Sequence, residues 1–520
     1  MNTPEFLLIT SALVPDRTAI VFEGKRTSFG ELNERVNRLA NALTGMGVGK
    51  GDRVAILQVN CSQYVEVYFA VAKVGAIFVP LNFRAKNEEL VHMLNHSEAS
   101  TVFIGERYVD MVNGMRSQIQ GVKNLVSIES KQEGMLYYED IIASASDDEV
   151  FTDIGDEDVT ILMYTAGTTG LPKGVPLIHS SFSVYVMENV NPADPEVEET
   201  NLLTMPLYHV AGIQAMLAAV YGGRTIALMR QFEVNEWLDT VQSERANRAM
   251  LVPTMLKRVV DHPDFEKYDL TSLMVITYGA APMPFEVIKK AISLMPWVNF
   301  INAFGQTETA STITTLGPED HIIEGTEEER QRKLKRLSHS IGRAMSDVEI
   351  KIMDENGKDV PYGEVGEITA RGPRVMSGYW KDAEKTAKTI DKGGWLHTGD
   401  MGYMDEEGYI YLAGRGDDLI IRAGENISPE EVENALYTHP AVEEVAVIGV
   451  PDPEWGQEPK AIVALKTGMT ATAEELMEHC RQNLASFKRP RAVVFVDELP
   501  RTSTGKILKR VLREQYGHSL

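Results

Sequence analysis

Two cysteines in 520 residues, Cys61 and Cys480, are too few and too far apart for a disulfide framework or a cysteine-held metal cluster. Basic charge is also scarce: 51 Lys and Arg stand against 75 Asp and Glu, for a net charge of −24. That deficit argues against a general polyanion-binding surface, so nucleic acid is not an expected partner, although a local basic site for an anionic ligand stays open. No apolar run reaches the ~18 residues of a membrane helix, so no transmembrane segment is expected. The start, Met1-Asn2-Thr3-Pro4-Glu5, has no positive region, and Phe6 to Ile9 is too short for a leader core. Together these absences predict a cytoplasmic chain. Internal repeats and low-complexity stretches are missing too. The rest is ordinary for a folded protein, at a length that predicts two to four domains, each able to bury a core.

The patterning is that of a layered α/β chain. Ser28-Phe29-Gly30-Glu31 reads as a capping box, followed by Leu32, Val36, Leu39, Ala40 and Leu43 at helical spacing. Val54 to Leu57 predicts a strand, Ser62 to Lys73 a helix, and Ala76 to Val79 and Thr101 to Ile104 further strands. A second alternating block covers about 200 to 310, with strands expected at 225–228, 249–252 and 274–277. Alternation of this kind implies largely parallel sheets, with ligands at the carboxyl ends of strands. Glu324 to Lys335 is dense in charge and reads as a solvated helix or loop. From about 341 the period changes to two, at 348–352, 366–370 and 409–412, which predicts a small antiparallel β module. After Arg415 a compact α+β unit is expected. Capping boxes are predicted at Ser428 and Thr472, and Cys480 on a helix face with Leu476 and Leu484.

The most informative stretch is Tyr164 to Val175, Tyr-Thr-Ala-Gly-Thr-Thr-Gly-Leu-Pro-Lys-Gly-Val. It follows an apolar run, Val159 to Met163, that reads as a buried strand. Gly167, Gly170 and Gly174 let backbone N–H groups approach a phosphate, Thr165, Thr168 and Thr169 add hydroxyls, and Lys173 adds a cation. The spacing is not that of a Walker A loop, because Pro172 precedes the lysine and Gly174 follows it. It resembles the phosphate loop of the adenylate-forming superfamily, which includes the acyl-CoA synthetases. Further stretches resemble that family in order: Tyr278-Gly279-Ala280-Ala281-Pro282, Ala303-Phe304-Gly305-Gln306-Thr307-Glu308-Thr309, Gly394 to Asp400, Arg415, and Pro500 to Lys506. The resemblance covers essentially the whole chain.

The resemblance implies a large N-terminal AMP-binding domain, 1–415, of layered subdomains plus the β module. It implies a smaller mobile α+β domain, 416–520, hinged at Asp417. The implied reaction joins a carboxylic acid to coenzyme A, using ATP and Mg²⁺, through an acyl-adenylate. Thr165 and Glu308 would meet the metal, a carboxylate being suited to Mg²⁺ among phosphates. Thr307, Asn302, Ala303, Phe304 and Gly305, with Gly279, Ala280 and Ala281, would line the nucleotide. Asp400 would accept the ribose hydroxyls beside Arg415, and Gly424 would lie on the face that meets coenzyme A. Lys506 would stabilise charge during adenylation. His209, Val210 and Gly212, with Tyr278, Gly279 and Gly305, would bound the acid. Where peptide-synthetase domains place an Asp, this chain has His209 and apolar residues. An acid without an α-amino group is therefore expected, a medium-chain fatty acid first and an aromatic or alicyclic acid close behind. A carrier protein as acyl acceptor, and a homodimer, are compatible with the same resemblance.

Overall fold

The computed structural model describes residues 1–167, 170–416, 418–423, 425–501 and 507–518. Three sheets organise them. The first has seven strands, in the order Leu136–Tyr137, Asn124–Ser127, Thr101–Ile104, Arg53–Leu57, Ile77–Pro80, Val159–Gly167 and Gly170–Ile178. All neighbours are parallel except the last pair. The second has thirteen strands. It is parallel around Thr200–Leu203, Thr225–Leu228, Arg248–Leu251, Val275–Gly279 and Asn299–Gln306, then turns antiparallel at Ser311–Leu316.

The period-two segment is antiparallel as expected, but it does not stand alone. Its strands Ser340–Ala344, Ile410–Arg415, Leu396–Met404, Gly366–Arg371 and Glu349–Met353 extend the second sheet beyond Ser311–Leu316. A continuous hydrogen-bonded ladder thus joins the β module to the α/β block.

Helices between the two large sheets supply the main core. Phe29–Gly45 begins with the expected capping box: Ser28 Oγ accepts from Glu31 N, and the Glu31 carboxylate accepts from Ser28 N at 2.8 Å. Its apolar face (Leu32, Val36, Leu39, Leu43) packs on Ser62–Lys73, whose bounds match those read from the sequence. Thr3–Leu13 and Val210–Tyr221 close the layer. Burying such side chains is worth about 1.5–3 kcal/mol each, which is what binds the layers together.

The charged stretch after Glu324 is a helix, Glu327–His339, capped by Thr326 and largely exposed. The third sheet holds Glu425–Ile427, Ile420–Arg422, Gly456–Leu465, Val442–Asp452 and Ala492–Phe495. Leu476 and Cys480 are buried on one face of Ala473–Asn483 against this sheet, as expected. The Thr472 box forms; the Ser428 box does not. Ser428 holds the N-cap position without a side-chain cap, and Glu431 instead ion-pairs with Lys488 at 2.6 Å. Among the described residues no helix is long and apolar enough to cross a membrane.

Candidate active site

Tyr164 to Val175, expected as a loop, is mostly two strand arms. Val159–Gly167 and Gly170–Ile178 pair antiparallel, with Thr165 opposite Lys173 and Gly167 opposite Gly170. Pairing across the hairpin overrides the weak strand propensity of its glycines. Gly174 is glycine for a packing reason: a Cβ there would lie 3.0 Å from both Leu162 Cδ1 and Trp380 Cβ. The Trp380 backbone N–H donates to the Gly174 carbonyl at 2.8 Å. Thr168 and Thr169, between the arms, lie outside the described residues, as do Asp417, Gly424 and Lys506.

Asn299–Gln306 runs into a single 3-10 turn, Thr307–Thr309. Two residues with positive φ, Ala310 (+49°) and Ser311 (+88°), then reverse the chain into the antiparallel strand. Gly305 sits at a bulge, where a Cβ would fall 1.6 Å from the Ser311 carbonyl oxygen. Such backbone costs free energy and is tolerated where the surroundings over-determine it, typically at functional sites. The turn projects Glu308 from the place where the sheet changes from parallel to antiparallel.

Tyr379, which carried no role in the sequence reading, connects this turn to the hairpin. Its hydroxyl donates to Glu308 Oε1 at 2.9 Å, and Lys173 Nζ stands 5.4 Å from its ring centroid. Lys385 Nζ lies 5.9 Å from the same ring. Burial, then the neighbouring Lys385, pushes Lys173 down to about 8, with Glu308 and Asp382 offsetting part of the fall. Burial and the Glu308 carboxylate hold the Tyr379 phenol well above its usual range. The available signal was the pair Tyr379-Trp380 in a polar stretch, but sequence spacing does not show what a ring at 379 touches.

Strand Val275–Gly279 ends opposite Asn299–Gln306, with Gly279 facing Ala303 so closely that a Cβ would be 2.0 Å from the Ala303 carbonyl oxygen. Ala280 follows with φ of +66°, and Ala281 continues the loop. The expectation that the Tyr278 ring bounds the acid is not met: the ring is fully buried in the second core, and its hydroxyl bonds His321 Nε2 at 2.8 Å. Tyr278 therefore offers the site only its backbone. Asn302 turns its amide to the Ser340 carbonyl at 3.4 Å, and Phe304 packs on apolar clusters at Ile341 and Ile313.

His209 is the N-cap residue of Val210–Tyr221, its carbonyl accepting from Gly212 N at 2.9 Å. A Cβ on Gly212 would be 2.4 Å from the Pro206 carbonyl oxygen, so this turn needs glycine. Val210 points into the main core. Its neighbour Ala211, in the same stretch of sequence, clusters with Met205, Val252, Met250, Met255 and Ala280. This apolar wall joins the His209 helix to the Gly279–Ala280 loop. Met205, Val252 and Met255 also line a cavity of about 670 Å³ with mixed charge: its lining holds Arg84, Arg230, Lys257, Arg258 and Arg501 together with Asp261, Glu443 and Glu444, and Lys257 pairs with both Asp261 and Glu443.

Asp400 and Arg415 face each other on adjacent strands of the same sheet, joined at 2.9 Å between Arg415 Nε and Asp400 Oδ1. Asp400 N also bonds Thr398 Oγ1 at 3.1 Å. His397 pairs with Glu367 at 2.7 Å. No cluster of three His, Cys, Asp or Glu able to hold a metal occurs among the described residues. A lone carboxylate such as Glu308 still fits Mg²⁺, which takes one or two carboxylates and completes its shell with phosphate and water oxygens.

A cation over, and a carboxylate bonded to, one tyrosine, an acid–guanidinium pair on the thirteen-stranded sheet and an apolar wall together form a site with the chemistry to hold a phosphate-bearing ligand. Residues 10–380 match the AMP-binding enzyme family, and 431–506 match the AMP-binding enzyme C-terminal domain. A feruloyl-CoA synthase of Amycolatopsis sp is 36% identical over 97% of this chain and 96% of its own length. The long-chain-fatty-acid–CoA ligase FadD13 of Mycobacterium tuberculosis is 32% identical over 94% of this chain and 93% of its own. The crystal structure of the anthranilate CoA ligase AuaEII with anthranoyl-AMP is 28% identical and superposes with a TM-score of 0.89, covering 99% of this chain and 97% of that one. The chain belongs to the AMP-binding superfamily, in its acyl-CoA synthetase/ligase family.

Proposed function

We propose that this chain is an AMP-forming acid–thiol ligase that activates a carboxylic acid with an uncharged, apolar tail and transfers the acyl group to coenzyme A. The observation that carries the reading is the Lys173–Tyr379–Glu308 constellation, which holds a phosphate-seeking cation and a metal-type carboxylate on one side chain. In the first step an oxygen of the acid attacks the α-phosphorus of ATP, and the bond to pyrophosphate breaks. Lys173 would hold phosphate oxygens, with Thr165 and the hairpin N–H groups beside it. Glu308 would hold Mg²⁺, which supplies charge neutralisation between the phosphates. Asp400 would accept the ribose hydroxyls, Arg415 orienting its carboxylate. Lys506 would stabilise the negative charge growing on the α-phosphate. In the second step the thiolate of coenzyme A attacks the acyl carbonyl and AMP leaves. A swing of residues 416–520 about Asp417 would exchange Lys506 for the face at Gly424 between the steps.

For the acid we propose a medium-chain fatty acid. The methionine-rich wall beside Ala211 and Ala280 supports it, because methionine is adaptable enough to follow an alkyl chain. The commitment of the Tyr278 ring to His321 removes one stacking partner for an aromatic acid. An aromatic acid is the second reading, favoured by the feruloyl and anthranoyl names of two relatives. The coenzyme A named for two relatives supports that thiol as the acceptor. The test is pyrophosphate release from ATP across acetate, C4–C16 acids, benzoate, cyclohexane carboxylate and coumarate, with and without coenzyme A. Coenzyme A-dependent turnover that peaks at C6–C12 is expected. A peak on coumarate or benzoate would select the second reading, and exchange that coenzyme A cannot accelerate would move the acceptor to a carrier protein.

A further inference from the structure

Helix Asn87–Ser97 lies against the hairpin and carries two histidines one turn apart, at i and i+4, on one face. Each touches a different arm. His92 Nε2 lies 3.0 Å from the Pro172 carbonyl oxygen, immediately before Lys173. A carbonyl only accepts, so Nε2 of His92 carries the proton. His96 Nδ1 lies 3.0 Å from the Tyr164 hydroxyl, immediately before Thr165. The imidazoles stack on each other, with centroids 5.2 Å apart and planes at 14°, and both meet the Tyr164 ring edge-on.

Trp380 closes the arrangement. Its backbone N–H donates to Gly174 O, its indole N–H donates to His96 O at 3.3 Å, and Gly174 stands opposite Tyr164 in the hairpin. The chain of contacts from His96 to Tyr164, Gly174, Trp380 and back to His96 is therefore complete. A glycine-rich hairpin has much conformational freedom of its own, and binding phosphates would have to remove it. These contacts tie the arms down at Tyr164, Pro172 and Gly174.

We propose that His92 and His96 are positioning residues that hold the two arms of the phosphate hairpin in the shape that receives the phosphates of ATP. The proposal rests on the reading of that hairpin as the phosphate site.

The test uses the full chain and calorimetric affinities for ATP and, separately, for coenzyme A. Loss of one hydrogen bond to a half-buried carbonyl predicts that His92→Ala weakens ATP about five- to tenfold. Coenzyme A affinity is expected to stay within twofold. His92→Phe keeps the ring but not the donor and should weaken ATP equally. His92→Gln, which places an amide N–H near the position of Nε2, should restore ATP affinity to within twofold. Lys173→Ala is the control for the underlying reading: unchanged ATP affinity in that variant would overturn the phosphate hairpin itself. If Lys173→Ala weakens ATP while His92→Ala and His92→Phe do not, the histidine proposal alone fails. It also fails if His92→Gln is as weak as His92→Ala, or if ATP and coenzyme A affinities fall together.

Discussion

If Lys173 holds the phosphates as proposed, ATP binding should weaken at alkaline pH by an amount that can be worked out. Burial and Lys385 hold its ammonium at about 8 in the free protein, against an ordinary 10.5. Phosphates arriving beside it favour the charged form and would bring it back towards 10.5. The folded, unliganded protein therefore loses this proton first as pH rises, and above pH 8 ATP can bind well only by taking a proton up. At pH 7 about nine-tenths of the free protein carries the charge, and at pH 9 about one-tenth does. Linkage then predicts an ATP affinity about tenfold weaker at pH 9 than at pH 7. It also predicts uptake of about 0.7 proton per ATP at pH 8.5. The terminal phosphate of ATP is already almost fully deprotonated at pH 8.5, so it cannot mimic this uptake. Calorimetry in two buffers of different ionisation heat reads the uptake directly. Lys385→Gln removes the neighbouring cation and should move the fall to higher pH; Lys173→Arg should abolish it. Flat affinity from pH 7 to 9 with no proton uptake at pH 8.5 would refute the reasoning.

Three further outcomes are expected. Lys506→Ala should cut adenylation at least a hundredfold, while thioester formation from supplied acyl-adenylate is retained; rapid-quench assays of each half-reaction check this. Asp400→Asn loosens the pair with Arg415 and removes a charged acceptor, so ATP affinity by calorimetry should fall about tenfold or more with coenzyme A affinity unchanged. Asp347→Ala leaves the fully buried Arg374 guanidinium without its carboxylate, joined at 2.7 Å to Nη2, and should cost about 3–5 kcal/mol in urea unfolding.

Local chemistry in the sequence was a good guide where local chemistry decides. The helix Ser62–Lys73 and the boxes at Ser28 and Thr472 depend on spacing and on a cap three residues away, and they form as read. The Ser428 box failed because Glu431 found a stronger partner, Lys488, 57 residues on. The same reason hid the hairpin and the continuation of the sheet into 340–415, since both depend on partners distant in sequence. At the site, motif spacing located Lys173, Glu308, Asp400 and Arg415 on their elements. It could not show that Tyr278 turns its ring into the core, that Ala211 rather than Val210 joins the apolar wall, or that Tyr379 links hairpin to turn. Those facts depend on which way a side chain leaves the backbone.

The apolar wall and the phosphate hairpin belong to different sheets. Met250 lies on Arg248–Leu251 of the thirteen-stranded sheet, with Ala280 just beyond Val275–Gly279, whereas Lys173 and Thr165 lie in the seven-stranded one. On the proposed reading, the wall that would choose the acid and the hairpin that would hold the phosphates can therefore vary separately, although Asp400 and Arg415 share the sheet of the wall and Glu308 stands on a turn leaving it. On that reading, a lineage could exchange Met205, Met250 or Met255 for bulkier or smaller residues and explore new acids while the hairpin at Thr165 and Lys173 stayed unchanged.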